Sequence, residues 1–326
     1  MSTKVNFQSV LRWSDEQCRE YLEKMRWPDG PHCPKCNTNH PYIITRKSET
    51  KNKVKNIYRC RECKKQYTAT IGTIFEASHI PLSTWFAAIY LMCASKKGIS
   101  AHQIHRQLDI TYKSAWFMCH RIREAMRDKD TFSPLTGTVE ADETYIGGKA
   151  RGHWTLKERE RDEIKMGLRP KHRHPRMDKA VVFGILERGG RVRTKHIKEM
   201  NSTTAKQVLS DNIDFEKPRL ITDAHKGYKQ IKNYLPHDVI KHEETYVKGN
   251  IHTQGIENYW SILKRGLYGV FHHVDAKYLS NYLNEFEYRF NHRKIPDEER
   301  FEALMCQTQG RLHWYCQSPQ PEDPHA

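Results

Sequence analysis

The chain has 326 residues, of which 37% are hydrophobic and 29% charged, as is typical of a soluble globular protein with at least one sizeable core. The N-terminus has no apolar signal-peptide segment, and the longest apolar run, residues 85–94, is too short for a bilayer span, so we predict a cytoplasmic protein. Lys and Arg outnumber Asp and Glu by 55 to 39, which favours a polyanionic partner without distinguishing DNA, RNA and membrane lipid.

Two CxxC pairs stand near the N-terminus. Cys33 and Cys36 are followed by Cys60 and Cys63, and each pair can present two thiolates to one tetrahedral zinc ion. The intervening residues alternate polar and apolar side chains, as expected for short ribbon strands. We therefore predict an N-terminal helix and a structural zinc ribbon over residues 1–78. The alternative is a set of unrelated buried or redox cysteines.

The apolar period becomes helical over residues 79–130. Ser83 is placed to cap a first helix, a second helix begins at Ser100, and a turn at 109–111 precedes a third. This outline predicts a helix-turn-helix-like segment, although short helices joined by a turn also occur in modules that never touch DNA. The side chains that the third helix would offer to a duplex are Lys113, His120, Arg121 and Arg123.

Strand-like segments then carry two carboxylates. Residues 137–149 alternate with Asp142 at the centre, with Glu140 on the same face and Glu143 on the other. Residues 179–197 predict a hairpin, and a helix is expected near 202–212. A short apolar strand ends in Asp223, at the position where α/β proteins gather functional groups, although a lone Asp there is more often a helix cap.

A helix over 252–269 supplies the third carboxylate. Glu257 and Lys264 share one face beside an apolar stripe, which in isolation would be an ordinary solvated face. Together with Asp142 and Asp223, Glu257 can complete a site for two magnesium ions roughly 4 Å apart, suited to phosphodiester chemistry. The next residue, Asn258, points about 100° away from Glu257 on the helix, so the two are not equivalent ligands.

Four motifs in this order resemble the DDE-type transposases of bacterial insertion sequences, in the zinc-ribbon family numbered fifteen ninety-five. They are the paired CPKC and CREC, then EADETYIGGK, TDAHKGY, and HTQGIENYWSILKRG with the following YLNEFEYRFNHR. The resemblance implies a ribonuclease H-like α/β catalytic domain with a mixed sheet, which uses Asp142, Asp223 and Glu257 with Mg²⁺ or Mn²⁺. It also implies that Lys264 contacts DNA near the active site. Since some members of the family have Asn at the third position, the resemblance makes Asn258 the alternative to Glu257.

The remaining expectations concern domain bounds, partners and function. We assign residues 131–310 to the catalytic domain, with a basic insertion at 149–179 that either tracks the DNA backbone or is a solvated loop, and 311–326 to a flexible tail. The expected partner is double-stranded DNA, bound by a homodimer or higher oligomer. A nuclease of the same fold and a non-enzymatic DNA-binding regulator are the alternatives to a transposase.

Overall fold

The computed structural model describes residues 5–48, 53–128, 133–147, 165–166, 179–214, 219–228, 231–240 and 249–310. Contacts divide the chain into two compact units, one formed by Met1–Arg127 with His292–Ala326 and the other by Asp128–Asn291. The predicted insertion 149–179, apart from residues 165, 166 and 179, and the predicted tail 311–326 lie outside the described residues. No helix in the described part of the chain is both long and apolar enough to cross a membrane.

The first unit begins with two capped helices and a small sheet. Helices α1 (Phe7–Arg12) and α2 (Asp15–Arg26) each start with a capping box, in which Asn6 and Ser14 accept the N–H of the third helical residue. Strands β1 (Tyr42–Ser48), β2 (Lys53–Arg59) and β3 (Gln66–Tyr67) form an antiparallel sheet in that order. This sheet is the ribbon that the spacing of the cysteines predicts.

Three helices follow the ribbon, as predicted. They are α3 (Leu82–Ala94), α4 (Ala101–Leu108) and α5 (Tyr112–Ala125). Ser100 caps α4 by accepting the N–H of Gln103, but Ser83 does not cap α3. The Ser83 hydroxyl instead donates to Asp15 of α2 at 3.0 Å, because α3 already begins at Leu82.

The last helix of the described chain also belongs to the first unit. This helix follows the final helix of the second unit in sequence, and its Phe301 ring packs 5.9 Å from Phe86 and 5.7 Å from Tyr90, both in α3. The contact-based units therefore differ from the predicted span 131–310 at its C-terminal end. Three helices of the second unit precede this helix in the sequence, so it is α9 (Asp297–Cys306).

The second unit is built on a five-stranded mixed sheet. Its strands are β4 (Thr138–Ile146), β5 (Ala180–Glu187), β6 (Val192–Ile197), β7 (Arg219–Asp223) and β8 (His237–Ile240), in the order β6-β5-β4-β7-β8. The pairs β4–β5 and β5–β6 are antiparallel, whereas β4–β7 and β7–β8 are parallel. This arrangement confirms the predicted fold class, a mixed α/β domain preceded by a ribbon and a helical segment.

Helices cover both faces of this sheet. The odd-numbered residues Val139 and Ala141 of β4 join a core with α6 (Ser202–Ser210), and Ile146 joins the core on the opposite face. That opposite core includes α7 (Gln254–Gly266) and α8 (Ala276–Asn291). The alternation along β4 thus directs Glu140 and Asp142 towards α7, which is the face they were predicted to share.

Candidate active site

Asp142 lies on the central strand β4, and both of its carboxylate oxygens accept hydrogen bonds. The backbone N–H of Glu143 donates to Oδ1 at 2.9 Å, and the indole Nε1–H of Trp260 in α7 donates to Oδ2 at 3.0 Å. The carboxylate is therefore held between its own strand and the helix that covers it.

Asp223 is the last residue of β7, which runs parallel to β4. Ala141 of β4 pairs with Thr222 of β7. The next residues along the two parallel strands, Asp142 and Asp223, therefore lie side by side at the same edge of the sheet. The carboxyl ends of parallel strands commonly carry functional groups. Oδ1 of Asp223 accepts the N–H of His225 at 3.0 Å, and the segment then forms a 3-10 turn at Lys226–Tyr228. The structure thus brings the two predicted aspartates together.

Glu143 joins the two aspartates. One oxygen from each of Asp142, Glu143 and Asp223 lies within 4.8 Å of the others, a spacing that can hold a metal ion. The Tyr228 hydroxyl donates to Glu143 Oε2 at 3.1 Å, and His225 Nε2 lies 3.7 Å from Oε1. These two partners follow Asp223 in sequence, so Glu143 links the Asp223 segment to β4.

The crowding of carboxylates changes the electrostatics of the site. Burial, followed by the charges of Glu143 and Asp223, raises the pKa of Asp142 to about 7. Lys264 of α7 is half-buried, and this burial lowers its pKa while the charge of Asp142 opposes the change. A divalent cation would relieve the repulsion among the acidic groups, and clustered carboxylate oxygens are the ligands that Mg²⁺ and Mn²⁺ prefer.

Glu257 is not a member of the three-carboxylate group. It lies in the first turn of α7, is exposed, and its Oε1 accepts the Thr253 hydroxyl at 2.7 Å. Asn258 is also exposed. The assignment of Glu257 as the third active-site residue, with Asn258 as its alternative, therefore stays a prediction.

The four ribbon cysteines converge at a second cluster. Sγ of Cys33 lies 3.5 Å from Sγ of Cys63, and Sγ of Cys36 lies 3.4 Å from Sγ of Cys60. All four sulfurs lie within 4.8 Å of one another and none forms a disulfide. Tetrahedral zinc with Zn–S bonds of about 2.3 Å places sulfurs roughly 3.8 Å apart, so this donor set fits a structural zinc ion.

The predicted DNA contacts of α5 fall into two groups. Lys113, in the first turn of α5, is exposed. His120, Arg121 and Arg123 are only 2%, 5% and 1% exposed, so the prediction that they face a duplex is corrected. The Arg121 guanidinium lies 5.4 Å from the centre of the Trp85 ring and donates to a backbone carbonyl, which makes it part of the core of the first unit. His120 packs 4.3 Å from the ring of Trp116.

Two family models match the chain, one over the segment with the four cysteines and one over the segment with the three carboxylates. A model described as a transposase zinc-ribbon domain matches residues 13–66, and one described as an ISXO2-like transposase domain matches residues 134–291. The chain therefore carries the two domains of a zinc-ribbon DDE transposase. The second match contains Asp142, Glu143 and Asp223, so the carboxylate cluster lies inside the transposase domain.

A curated relative extends the similarity to nearly the whole transposase. The chain is 26% identical over 300 residues to a protein described as an uncharacterized protein in transposable element ISH50, from Halobacterium salinarum. The aligned region covers 90% of this chain and 96% of the relative. Its description places the relative in a transposable element, and the aligned region spans both units of this chain.

The sequence pattern does not assign two residues to the site that the structure places there, Glu143 and Trp260. Glu143 was assigned to the opposite face because strand residues alternate, and its backbone does alternate, but its carboxylate reaches the edge of the sheet near Asp223. Trp260 belongs to the apolar stripe of α7 and packs in the core beneath that helix. The contact between the Trp260 N–H and Asp142 depends on how α7 packs against the sheet, so the apolar stripe alone does not predict it.

Proposed function

We propose that this chain is a transposase that binds the terminal inverted repeats of its insertion sequence, cleaves the DNA ends and joins the 3′ ends to target DNA. The observation that carries the proposal is the convergence of Asp142, Glu143 and Asp223 within an ISXO2-like transposase domain. A DNA-binding regulator has no chemical need for such a cluster.

The chemistry is phosphoryl transfer at the edge of the sheet. Bound Mg²⁺ or Mn²⁺ would supply activation of the attacking oxygen and charge stabilisation of the leaving oxygen. Asp142 and Asp223 offer hard oxygen ligands from two fixed strands, and Glu257 is the proposed third ligand from α7. Lys264, half-buried near Asp142, is proposed to contact the DNA backbone beside the reacting phosphate.

Recognition of the DNA ends is assigned to the exposed basic residues of the helical segment. Between residues 77 and 123 the sequence contains Asp109 as its single acidic residue. The basic side chains there that are exposed and can reach a phosphate backbone are Lys96, Lys97, Arg106 and Lys113. Of the contacts predicted from the sequence, this group includes Lys113, whereas His120, Arg121 and Arg123 are buried and do not belong to it.

One structural zinc ion per chain is proposed at Cys33, Cys36, Cys60 and Cys63. The ribbon is too small to fold securely without a metal, so zinc binding and folding of the ribbon should be coupled. Metal analysis of the purified protein should find zinc, and Cys60→Ser should lower its content. Unchanged zinc content in this variant would contradict the assignment.

The protein is proposed to act in the cytoplasm as a homodimer or higher oligomer on DNA, since two element ends must be processed together. A strand-transfer assay tests the function, with terminal-repeat DNA, a target plasmid and Mg²⁺. The expected products are cleaved ends and ends joined to the target. Cleavage without joining would indicate the nuclease, and specific binding without either product would indicate the regulator.

A further inference from the structure

Trp260 contacts the site through a single polar atom. Its indole is buried with 5% exposure, and its Nε1–H donates to Oδ2 of Asp142 at 3.0 Å. The other oxygen of Asp142 accepts the N–H of Glu143 at 2.9 Å. Because an indole N–H is only a donor, it holds Oδ2 in place and leaves further lone pairs of that oxygen open to a cation.

The sheet makes room for this indole at one glycine. Gly184 of β5 pairs with Asp142 in the antiparallel register. A Cβ atom at position 184 would lie 2.5 Å from two carbons of the Trp260 ring and 3.0 Å from Ile256 Cδ1. The ring therefore lies directly on the backbone of β5, and any side chain at this position would displace it.

A second contact fixes the start of the same helix on β4. Glu140, two residues before Asp142 and fully buried, accepts the N–H of Ile256 at 3.0 Å, while Arg188 donates to its other oxygen at 2.9 Å. A Cβ atom at Gly255 would lie 2.7 Å from Oε2 of Glu140, so a side chain at this position would shift the carboxylate that holds the helix. Helix α7 is thus attached to β4 at two points one turn apart.

From these contacts we infer that Trp260 is a positioning residue for Asp142. Its N–H sets the orientation in which the carboxylate meets a divalent metal, and its packing on Gly184 sets the position of α7. The inference rests on the proposed function, since it concerns the metal site of that reaction. It assigns a role in metal binding to a residue whose sequence pattern indicates only core packing.

The test removes one N–H group and leaves the shape of the side chain. Trp260 is replaced in the full chain by β-(3-benzothienyl)alanine, in which sulfur takes the place of the indole N–H. The matched control carries the same replacement at Trp85, whose Nε1–H donates to Ser78 at 2.9 Å in the first unit. Mn²⁺ affinity is measured for each protein by the paramagnetic relaxation of water protons, and folding by thermal melting.

The replacement at Trp260 should weaken Mn²⁺ binding by about 10- to 100-fold, as is typical when a hydrogen-bond partner of a metal ligand is lost. The control at Trp85 should bind Mn²⁺ within about twofold of the parent. Gly184→Ala provides an independent arm, because its added Cβ must displace the indole, and it should weaken binding in the same direction. Parent-like affinity in both the Trp260 and the Gly184 variants would overturn the inference.

Asp142→Asn separates this inference from the proposed function. If the parent binds Mn²⁺ and Asp142→Asn abolishes the binding, the metal site stands, and the Trp260 variant alone decides the positioning role. If Mn²⁺ binding does not depend on Asp142, the metal site of the proposed function fails, and the positioning role fails with it.

Discussion

At the scale of single residues, the site consists of acidic groups that are costly to place together. The pKa of Asp142 is raised to about 7 by burial and by two neighbouring carboxylates. Proteins tolerate such crowding where a cation or a reaction requires it. The cluster is therefore better explained by function than by stability.

Substitution of the acidic residues should separate chemistry from DNA binding. Asp142→Ala and Asp223→Ala should each lower Mg²⁺-dependent cleavage by more than about a thousandfold, because metal-assisted phosphoryl transfer depends on the ligands. Gel shifts of terminal-repeat DNA should stay unchanged. Glu257→Ala should behave like the aspartate variants and Asn258→Ala like the parent. The reverse result for this last pair would move the third ligand by one residue.

Glu143 calls for a different expectation in the same assay. Its carboxylate accepts the Tyr228 hydroxyl and lies beside Asp142 and Asp223. Glu143→Gln should lower cleavage by about 10- to 100-fold, the usual effect of losing a group that orients metal ligands. A parent-like rate would show that Glu143 only links β4 to the Asp223 segment.

Removing either of two basic residues of α5 should have a different effect, one on DNA binding and the other on stability. Lys113→Ala should leave the melting temperature unchanged, weaken binding of any DNA sequence, and reduce the slope of log affinity against log salt by about one. Arg121→Ala should instead destabilise the protein by roughly 2–4 kcal/mol, because its buried guanidinium packs on Trp85. Filter binding over a salt series and urea unfolding measure the two effects. A stable Arg121→Ala protein with weakened DNA binding would instead support the sequence-based prediction that Arg121 contacts DNA.

At the scale of elements, α8 is attached to the edge strand β6 by a buried acid. The backbone N–H of Thr194 donates to Glu287 Oε1 at 2.6 Å, and the Thr194 hydroxyl donates to the same oxygen. Burial raises the pKa of Glu287 to about 8, although the two hydrogen bonds from Thr194 oppose this change. The charge of Asp128 raises the pKa and that of Arg193 lowers it, both to a smaller extent. The docking of this helix should therefore depend on pH.

The raised pKa of Glu287 determines whether stability rises or falls with pH. Below a pH of about 4.5, folded and unfolded chains both carry the Glu287 proton, and its contribution to stability is fully present. As the pH rises, the unfolded chain loses the proton first, so stability falls until a pH of about 8, where the folded protein also loses it. Glu287→Gln should remove this loss and be the more stable protein above that pH. Urea unfolding of the parent and the variant across this pH range measures the difference in stability.

Glu285→Gln is the matched control on the same helix. Glu285 is fully buried and forms an ion pair with Arg289, so losing its charge should destabilise the protein throughout the pH range. A parent-like slope of stability against pH in Glu287→Gln would contradict the role of Glu287.

At the scale of the whole molecule, the first unit is assembled from both ends of the chain. Phe301, Leu304 and Met305 of α9 are buried in the unit that also contains α2 and α3. A fragment of residues 1–130 lacks these side chains and should lose roughly 4–8 kcal/mol of apolar burial. DNA-binding measurements on that fragment would then report its instability as well as its recognition of DNA.

Adding residues 292–310 back through a flexible linker should restore cooperative melting. The matched control is the same fusion carrying Phe301→Ala, which removes the aromatic contact with Phe86 and Tyr90. Equal melting temperatures for the fragment, the fusion and the control would mean that α9 is dispensable for the first unit.

The sequence by itself determined the local features of this protein. The CxxC spacing indicated the ribbon, alternation around Asp142 indicated a strand, and the stripe of Ile256, Trp260 and Leu263 indicated a buried helical face. These features depend on residues close in sequence, whose periodicity is visible without any fold. Motif order was enough to indicate the transposase family.

The tertiary structure decided what depends on contacts between distant residues. Arg121 and Arg123 look like DNA ligands in sequence, but the packing of three helices buries them. Glu143 reaches Asp223 only because β4 and β7 are parallel neighbours, and Trp260 reaches Asp142 only because Gly184 leaves space for its ring. Burial and side-chain direction at such positions are properties of the assembled sheet and helices, which local periodicity does not encode.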